Sequence, residues 1–151
     1  MPALPPPDVP LTYPDSGRIT RPWFEYFFNR DLLGNVQSVV KPVSFNTTGI
    51  GTADTVKLGT LPAGAQIVSC IVRVTAAFNA GTTNVLTVGT SVGSNADIVS
   101  ASDVNEGVIG TTIVSTGAGL SFAANTAVYV RYTQTGAAAT TGAAVITLIY
   151  A

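Results

Sequence analysis

Three carboxylates that lie close together in the chain, Asp97, Asp103 and Glu106, are the residues best suited to acid–base or metal chemistry. Two carboxylates about 5 to 10 Å apart can cleave a glycosidic bond, and carboxylate oxygens are also ligands for calcium. This stretch, however, lacks the spacing of an EF-hand loop and has no nearby aromatic residue to stack on a sugar. We therefore expect a solvated loop, with a calcium site and a glycosidase as the alternatives.

The other groups that commonly carry catalysis are missing from the sequence. There is no histidine, which excludes the usual serine and cysteine triads and histidine-ligated metal sites. Cys70 is the only cysteine, and its place in an alternating apolar run predicts a small buried side chain. Lysine occurs only at Lys41 and Lys57, without a phosphate-binding loop. We expect no catalytic residue, no metal and no cofactor.

The basic residues are few and scattered. Seven Lys and Arg residues are balanced by eight Asp and Glu residues, a pattern that predicts no binding to nucleic acid. Arg73 and Arg131 fall in the middle of predicted strands, where each could bind a partner's carboxylate bidentately. We expect instead that their aliphatic stems cover apolar neighbours.

The first part of the chain differs in composition from the rest, which indicates a docking segment attached to a separate domain. Seven of the nine prolines lie in the first 22 residues, which predicts a stiff, extended arm. Residues 20–34 predict one short helix, with Pro22 at its first position and Gly34 at its end. We therefore divide the chain into an arm with an aromatic helix, 1–35, and a second domain, 36–151.

Aromatic residues in this first segment recur at helical spacing and form one broad face. Trp and Tyr dominate the energetics of protein interfaces, and an extended proline-rich arm loses little entropy on binding. The alternative is that the helix packs on the core of its own chain. The predicted partner-binding residues are Pro5, Pro6, Pro7, Tyr13, Arg21, Trp23, Phe24, Phe27 and Phe28.

After Val36 the sequence is typical of short strands separated by turns. We predict an all-β, antiparallel β-sandwich of about eight strands, jelly-roll-like, with the choice between jelly-roll and immunoglobulin-like strand order left open. Pro42 predicts an edge strand or a bulge. The predicted strands are 36–45, 55–58, 66–75, 84–89, 111–115, 120–122, 127–133 and 144–150.

The overall composition predicts association with other copies. Charged residues make up 10% of the chain, against about 25% in typical domains, and a surface with few charges is poorly protected against association. We expect several copies, arranged as a homotrimer. No apolar run approaches the roughly 20 residues of a membrane-spanning helix, and no secretory signal is evident.

Two parts of the sequence resemble known proteins. Residues 5–28, ending in Arg21-Pro22-Trp23-Phe24-Glu25-Tyr26-Phe27-Phe28, resemble the N-terminal segment of small tailed-bacteriophage proteins encoded among virion genes. Leu61-Pro62-Ala63-Gly64-Ala65, Phe78-Asn79-Ala80-Gly81-Thr82-Thr83-Asn84 and Tyr132-Thr133-Gln134-Thr135-Gly136 are similar to small β-sandwich structural proteins of phages.

This resemblance implies a non-enzymatic virion component, made in the host cytoplasm and located in the virion. It would be a head decoration protein or a tail-anchored appendage, docked through its arm and helix onto capsid, portal or tail-adaptor proteins. The alternative is a receptor- or glycan-binding sandwich on the virion surface. Neither role implies contact with a membrane or with nucleic acid.

Overall fold

The computed structural model describes residues 36–50, 56–91 and 95–151, together with Pro10 and Thr20. Residues Gln37–Ala151 form one compact unit. The strands of the described residues are β1 (Gln37–Ser44), β2 (Val56–Leu61), β3 (Ile67–Ala76), β4 (Thr83–Gly89), β5 (Gly110–Val114), β6 (Thr126–Thr135) and β7 (Ala143–Tyr150).

The seven strands form two antiparallel sheets, one of four strands in the order β1-β7-β3-β5 and one of three in the order β2-β6-β4. The chain folds back on itself, since β1 pairs with β7, β2 with β6 and β3 with β5. β4 pairs with β6, and on its other side it has an isolated bridge between Val88 and Val99. This is the order of an eight-stranded jelly roll in which the strand after β4 is reduced to one bridge.

The core lies between the two sheets and follows from strict alternation along the strands. In β7 the buried residues are Ala144, Ile146, Leu148 and Tyr150, every second residue. In β6 every second residue is likewise buried, as its sequence predicts: Val128, Val130 and Tyr132. Each fully buried large aliphatic side chain contributes about 1.5 to 3 kcal/mol. The predicted all-β, antiparallel sandwich is confirmed.

The start of β3 departs from the predicted pattern. The alternation of residues 66–75 in the sequence predicts that Val68 lies on the same face of the strand as Cys70, and Ile67 on the opposite face. Between Ile67 and Ser69, however, the pairing with β7 shifts register by one residue. A bulge of this kind reverses which side chain points inward, so Ile67 is buried at 1% exposure and Val68 is 49% exposed.

Two other short predictions also differ from the structure. The predicted strand at 120–122 is irregular in structure, with a single isolated bridge between Ser121 and Gln66. Between β4 and β5 no clear strand was predicted, and the two short apolar pairs of this stretch have opposite environments. Ile98 and Val99 are fully buried, whereas Val108 and Ile109 are exposed. The first pair supplies the bridge to β4, and the second pair leads into β5.

The triplet Thr-Gly-Ala occurs at 116–118, 135–137 and 141–143, in turns or at strand ends. Gly136 ends β6 with a φ of 81°, and Gly142 precedes β7 with a φ of 143°. Both values are in the region that favours glycine. Pro42 lies in β1, at the edge of the four-stranded sheet, as predicted.

The predicted arm and helix of residues 1–35 lie outside the described residues, except for Pro10 and Thr20. The Thr20 hydroxyl donates a hydrogen bond of 2.7 Å to the Pro10 carbonyl. The division of the chain into 1–35 and 36–151 stays a prediction. Within the described ranges, no helix has the length and apolar character needed to span a membrane.

Candidate interaction surface

Asp97 and Asp103 both accept hydrogen bonds from backbone N–H and side-chain hydroxyl groups of nearby loops. The Asp97 carboxylate accepts hydrogen bonds from the backbone N–H (2.9 Å) and the hydroxyl (2.6 Å) of Thr90. Asp103 accepts from the Ser100 N–H and the Thr116 hydroxyl, both at 2.7 Å. The hydrogen bond from Thr116 is the main cause that lowers the pKa of Asp103. These carboxylates hold the connections around β4 and β5 in place.

Glu106 has a different environment, because it is buried at 4% exposure. Its Oε1 accepts a hydrogen bond of 2.7 Å from the backbone N–H of Leu86. Leu86 lies in β4, an edge strand. Because its N–H is bound to the Glu106 carboxylate, this N–H cannot pair with a further strand added at that edge. Desolvation by burial raises the pKa of Glu106. The pKa of Tyr132 is also raised, mainly by desolvation and in addition by the charge of Glu106.

The three carboxylates therefore accept hydrogen bonds from different partners: Asp97 from Thr90, Asp103 from Ser100 and Thr116, and Glu106 from Leu86. In the described ranges, no three His, Cys, Asp or Glu residues lie close enough to hold a metal ion. Cys70 is buried at 1% exposure, as predicted, and desolvation raises its pKa to about 12. A thiol in that environment is inert at neutral pH.

The outer face of the four-stranded sheet carries exposed apolar side chains. The strand register places Val40, Thr147, Ile71 and Ile113 in one row across β1, β7, β3 and β5. At the two edges of this row, Val40 is 55% exposed and Ile113 is 69% exposed. Arg73 is exposed on the same face, one row away, opposite Val145 on β7.

One signal of this surface is present in the sequence. Ile71 breaks the polar face of β3, which indicates a face that is only partly solvated. Ile113 was missed because β5 is short and its two faces cannot be assigned from five residues. Arg131 is half-buried on the outer side of β6, opposite Thr87 of β4.

The residues predicted to bind a partner all lie outside the described residues. They are Pro5, Pro6, Pro7, Tyr13, Arg21, Trp23, Phe24, Phe27 and Phe28, and their docking role stays a prediction. The aromatic residues of 36–151 can be placed, and none of them is exposed: Phe45, Phe78, Phe122, Tyr129, Tyr132 and Tyr150. Phe78 packs on Tyr132 with the ring centroids 4.7 Å apart.

Comparison with known proteins gives one informative likeness. A chain in the structure of the cyanophage Pam1 capsid asymmetric unit is 29% identical to this chain, with a TM-score of 0.60. The similarity covers 77% of this chain and 84% of that chain. No family model matches the sequence, and no curated protein matches it. The chain is thus similar, over most of its length, to a chain from a phage capsid structure.

Proposed function

We propose that this chain is a non-enzymatic structural component of a tailed-phage virion. The observation that carries the proposal is the likeness to a chain of the cyanophage Pam1 capsid asymmetric unit, at 29% identity and a TM-score of 0.60. Because the similarity extends over 77% of this chain, it is not confined to a local motif. The structural hydrogen bonds of Asp103 and Glu106 support the absence of a catalytic role.

The proposed mechanism is docking through residues 1–35 onto a capsid, portal or tail-adaptor protein. The proline-rich arm lies along the partner in extended form, at a small entropic cost. Trp23, Phe24, Phe27 and Phe28 fill a groove, and each buried aromatic contributes about 1.5 to 3 kcal/mol. The jelly roll is then displayed as a decoration or a fibre-like appendage.

Several copies of the chain act together in this proposal, as a homotrimer. The support is the low charge content, 10% of residues, and the apolar outer face of the four-stranded sheet. Surfaces of this kind are stabilised when neighbouring proteins cover them. The partners are other virion proteins, with no role for nucleic acid or a membrane.

A receptor- or glycan-binding module on the virion surface is the second candidate. Sugar-binding loops commonly present exposed aromatic rings, but in the described residues the aromatic side chains are buried or half-buried. We therefore prefer the structural role. Binding of the purified chain to a glycan array would favour the second candidate.

Incorporation into particles tests the docking proposal. Full-length chain, a deletion of residues 1–34, and a Trp23→Ala/Phe27→Ala variant are supplied to a phage lacking the gene, and purified particles are immunoblotted. We expect the full-length chain in particles and little of either variant. Tyr26→Ala, an aromatic change outside the predicted docking set, is the matched control. Normal incorporation of the deletion would overturn the docking proposal.

A further inference from the structure

Three of the four free strand edges in the two sheets carry features that block pairing with another strand. In β1, Pro42 has no N–H to donate, and the Ser44 N–H donates to the Thr47 hydroxyl at 2.8 Å. In β4, the Leu86 N–H is bound by Glu106. In β2, Lys57 is exposed and the pairing is interrupted by a register shift. Charges, bulges and prolines are the usual protections of an edge.

The fourth edge, β5, lacks these features. Residues 107–119 contain no charged residue and no proline. In the described part of the chain, no strand or loop is hydrogen-bonded along the free side of β5. Ile113, at 69% exposure, and Ile109, just before the strand at 66%, are the most exposed large hydrophobic residues described. An edge of this composition is suited to the addition of a further strand.

The segment around β5 reads almost the same in both directions: Val108-Ile109-Gly110-Thr111-Thr112-Ile113-Val114. Two antiparallel copies centred on Thr111 would therefore place like residues opposite each other. Thr111 would face Thr111, and Ile109 would face Ile113. Pairs of β-branched residues and Thr–Thr pairs are favourable neighbours across antiparallel strands.

We propose that β5 pairs with β5 of a second copy of this chain, around a two-fold axis at Thr111. The contact is self-complementary, as a two-fold interface requires. It joins two four-stranded sheets into one and covers Ile109 and Ile113 of both copies. No residue of the segment is charged, so no like charges lie directly opposite each other across the contact. Arg73 of each copy lies one strand away on β3, opposite Thr111.

This inference concerns a contact between two copies and does not rest on the virion role. Its two-fold symmetry makes it distinct from a three-fold contact within a trimer. In an assembly it would link copies of neighbouring trimers. The purified chain alone is sufficient to test it.

Disulfide cross-linking tests the proposed register. Thr111→Cys places two cysteines opposite each other, and antiparallel partners have Cα separations of about 4.5 to 5.5 Å, within the range of a disulfide. The native Cys70 is buried and gives no background. Ser38→Cys, exposed on β1 at the opposite edge of the same sheet, is the control. We expect a covalent dimer of the full-length Thr111→Cys chain on mild oxidation, and none of the control.

A charge substitution tests the apolar contact independently. Ile113→Lys would put two like charges into the interface and remove two buried isoleucines, which should weaken self-association about tenfold or more. Val40→Lys, at 55% exposure on β1, is the matched control. We expect Ile113→Lys, but not Val40→Lys, to prevent cross-linking of the Thr111→Cys chain and to lower self-association in sedimentation equilibrium. Equal cross-linking at Thr111 and Ser38, or equal behaviour of the two lysine variants, would overturn the proposal.

Discussion

Gly142, in the loop before β7, has a φ of 143° and packs against the ring of Phe78. A Cβ at this position would lie 2.5 Å from Phe78 Cγ and 2.8 Å from Cε1. The ring is 3% exposed and is held at 4.7 Å from the ring of Tyr132. The loop is also fixed, because Asn79 Oδ1 accepts a hydrogen bond of 3.0 Å from the Thr141 N–H. Gly142→Ala should therefore destabilise the sandwich strongly.

Two effects add at this position. A positive φ costs a residue with a Cβ about 1 to 2 kcal/mol, and overpacking a rigid core costs about 1 to 3 kcal/mol. The free energy of unfolding should fall by about 2 to 5 kcal/mol, which corresponds to a Tm lower by about 8 to 20 °C. Gly119 has a φ of 88° and open space around its Cβ position, so Gly119→Ala should show the first effect alone.

Thermal and urea unfolding of the full-length chain, followed by circular dichroism, measure these differences. Gly107→Ala provides the neutral reference, since its Cβ would be in ordinary contact with Asn105 Oδ1 at 3.5 Å. We expect the stability order Gly107→Ala, then Gly119→Ala, then Gly142→Ala, from most to least stable. If Gly142→Ala is no less stable than Gly119→Ala, the Phe78 contact does not constrain this loop and the reasoning is refuted.

Three further predictions concern the titratable groups. Burial raises the pKa of Glu106 in the folded chain, so the free energy of unfolding should fall as the pH rises above about 4.3, the usual pKa of a glutamate. Glu106→Gln keeps an acceptor for the Leu86 N–H and should remove that fall, as measured by urea unfolding at a series of pH values. The pKa of Asp103 is lowered in the folded chain, so the stabilisation from its hydrogen bonds should be lost as the pH falls below about 3.9. Asp103→Asn should reduce the free energy of unfolding at neutral pH and make it depend less on pH in acid. An unchanged pH profile would contradict a stabilising role for the Asp103 carboxylate. Cys70, with its pKa raised to about 12, should react with a thiol reagent only when the chain unfolds, and rapid labelling of the folded chain would show that it is accessible.

The sequence predicted the sandwich because alternation and turn residues act locally. Val128, Val130 and Tyr132 alternate along β6 and are all buried. Pro42 was correctly read as an edge residue, since the missing N–H is tolerated only where no neighbouring strand needs it. These signals depend on single strands and their ends, so they can be read without knowledge of the tertiary structure.

Other features depend on contacts that are distant in the chain. The bulge at Ile67 arises from pairing with β7, which lies about eighty residues away, and reverses the inward and outward positions of Ile67 and Val68. Glu106 accepts a hydrogen bond from Leu86, which lies 20 residues earlier in β4, so its burial cannot be predicted from a polar stretch of sequence. The exposure of Ile113 follows from the position of β5 at an edge.

A cryo-EM reconstruction of phage particles made from the genome that encodes this chain tests the central proposal most directly. We expect density for the jelly roll on the particle, with residues 1–35 lying in a groove of a capsid, portal or tail-adaptor protein and Trp23 buried there. Particles that contain no copy of this chain would contradict the virion role. Particles that hold it only through the sandwich, with residues 1–35 away from any partner, would contradict docking through this segment.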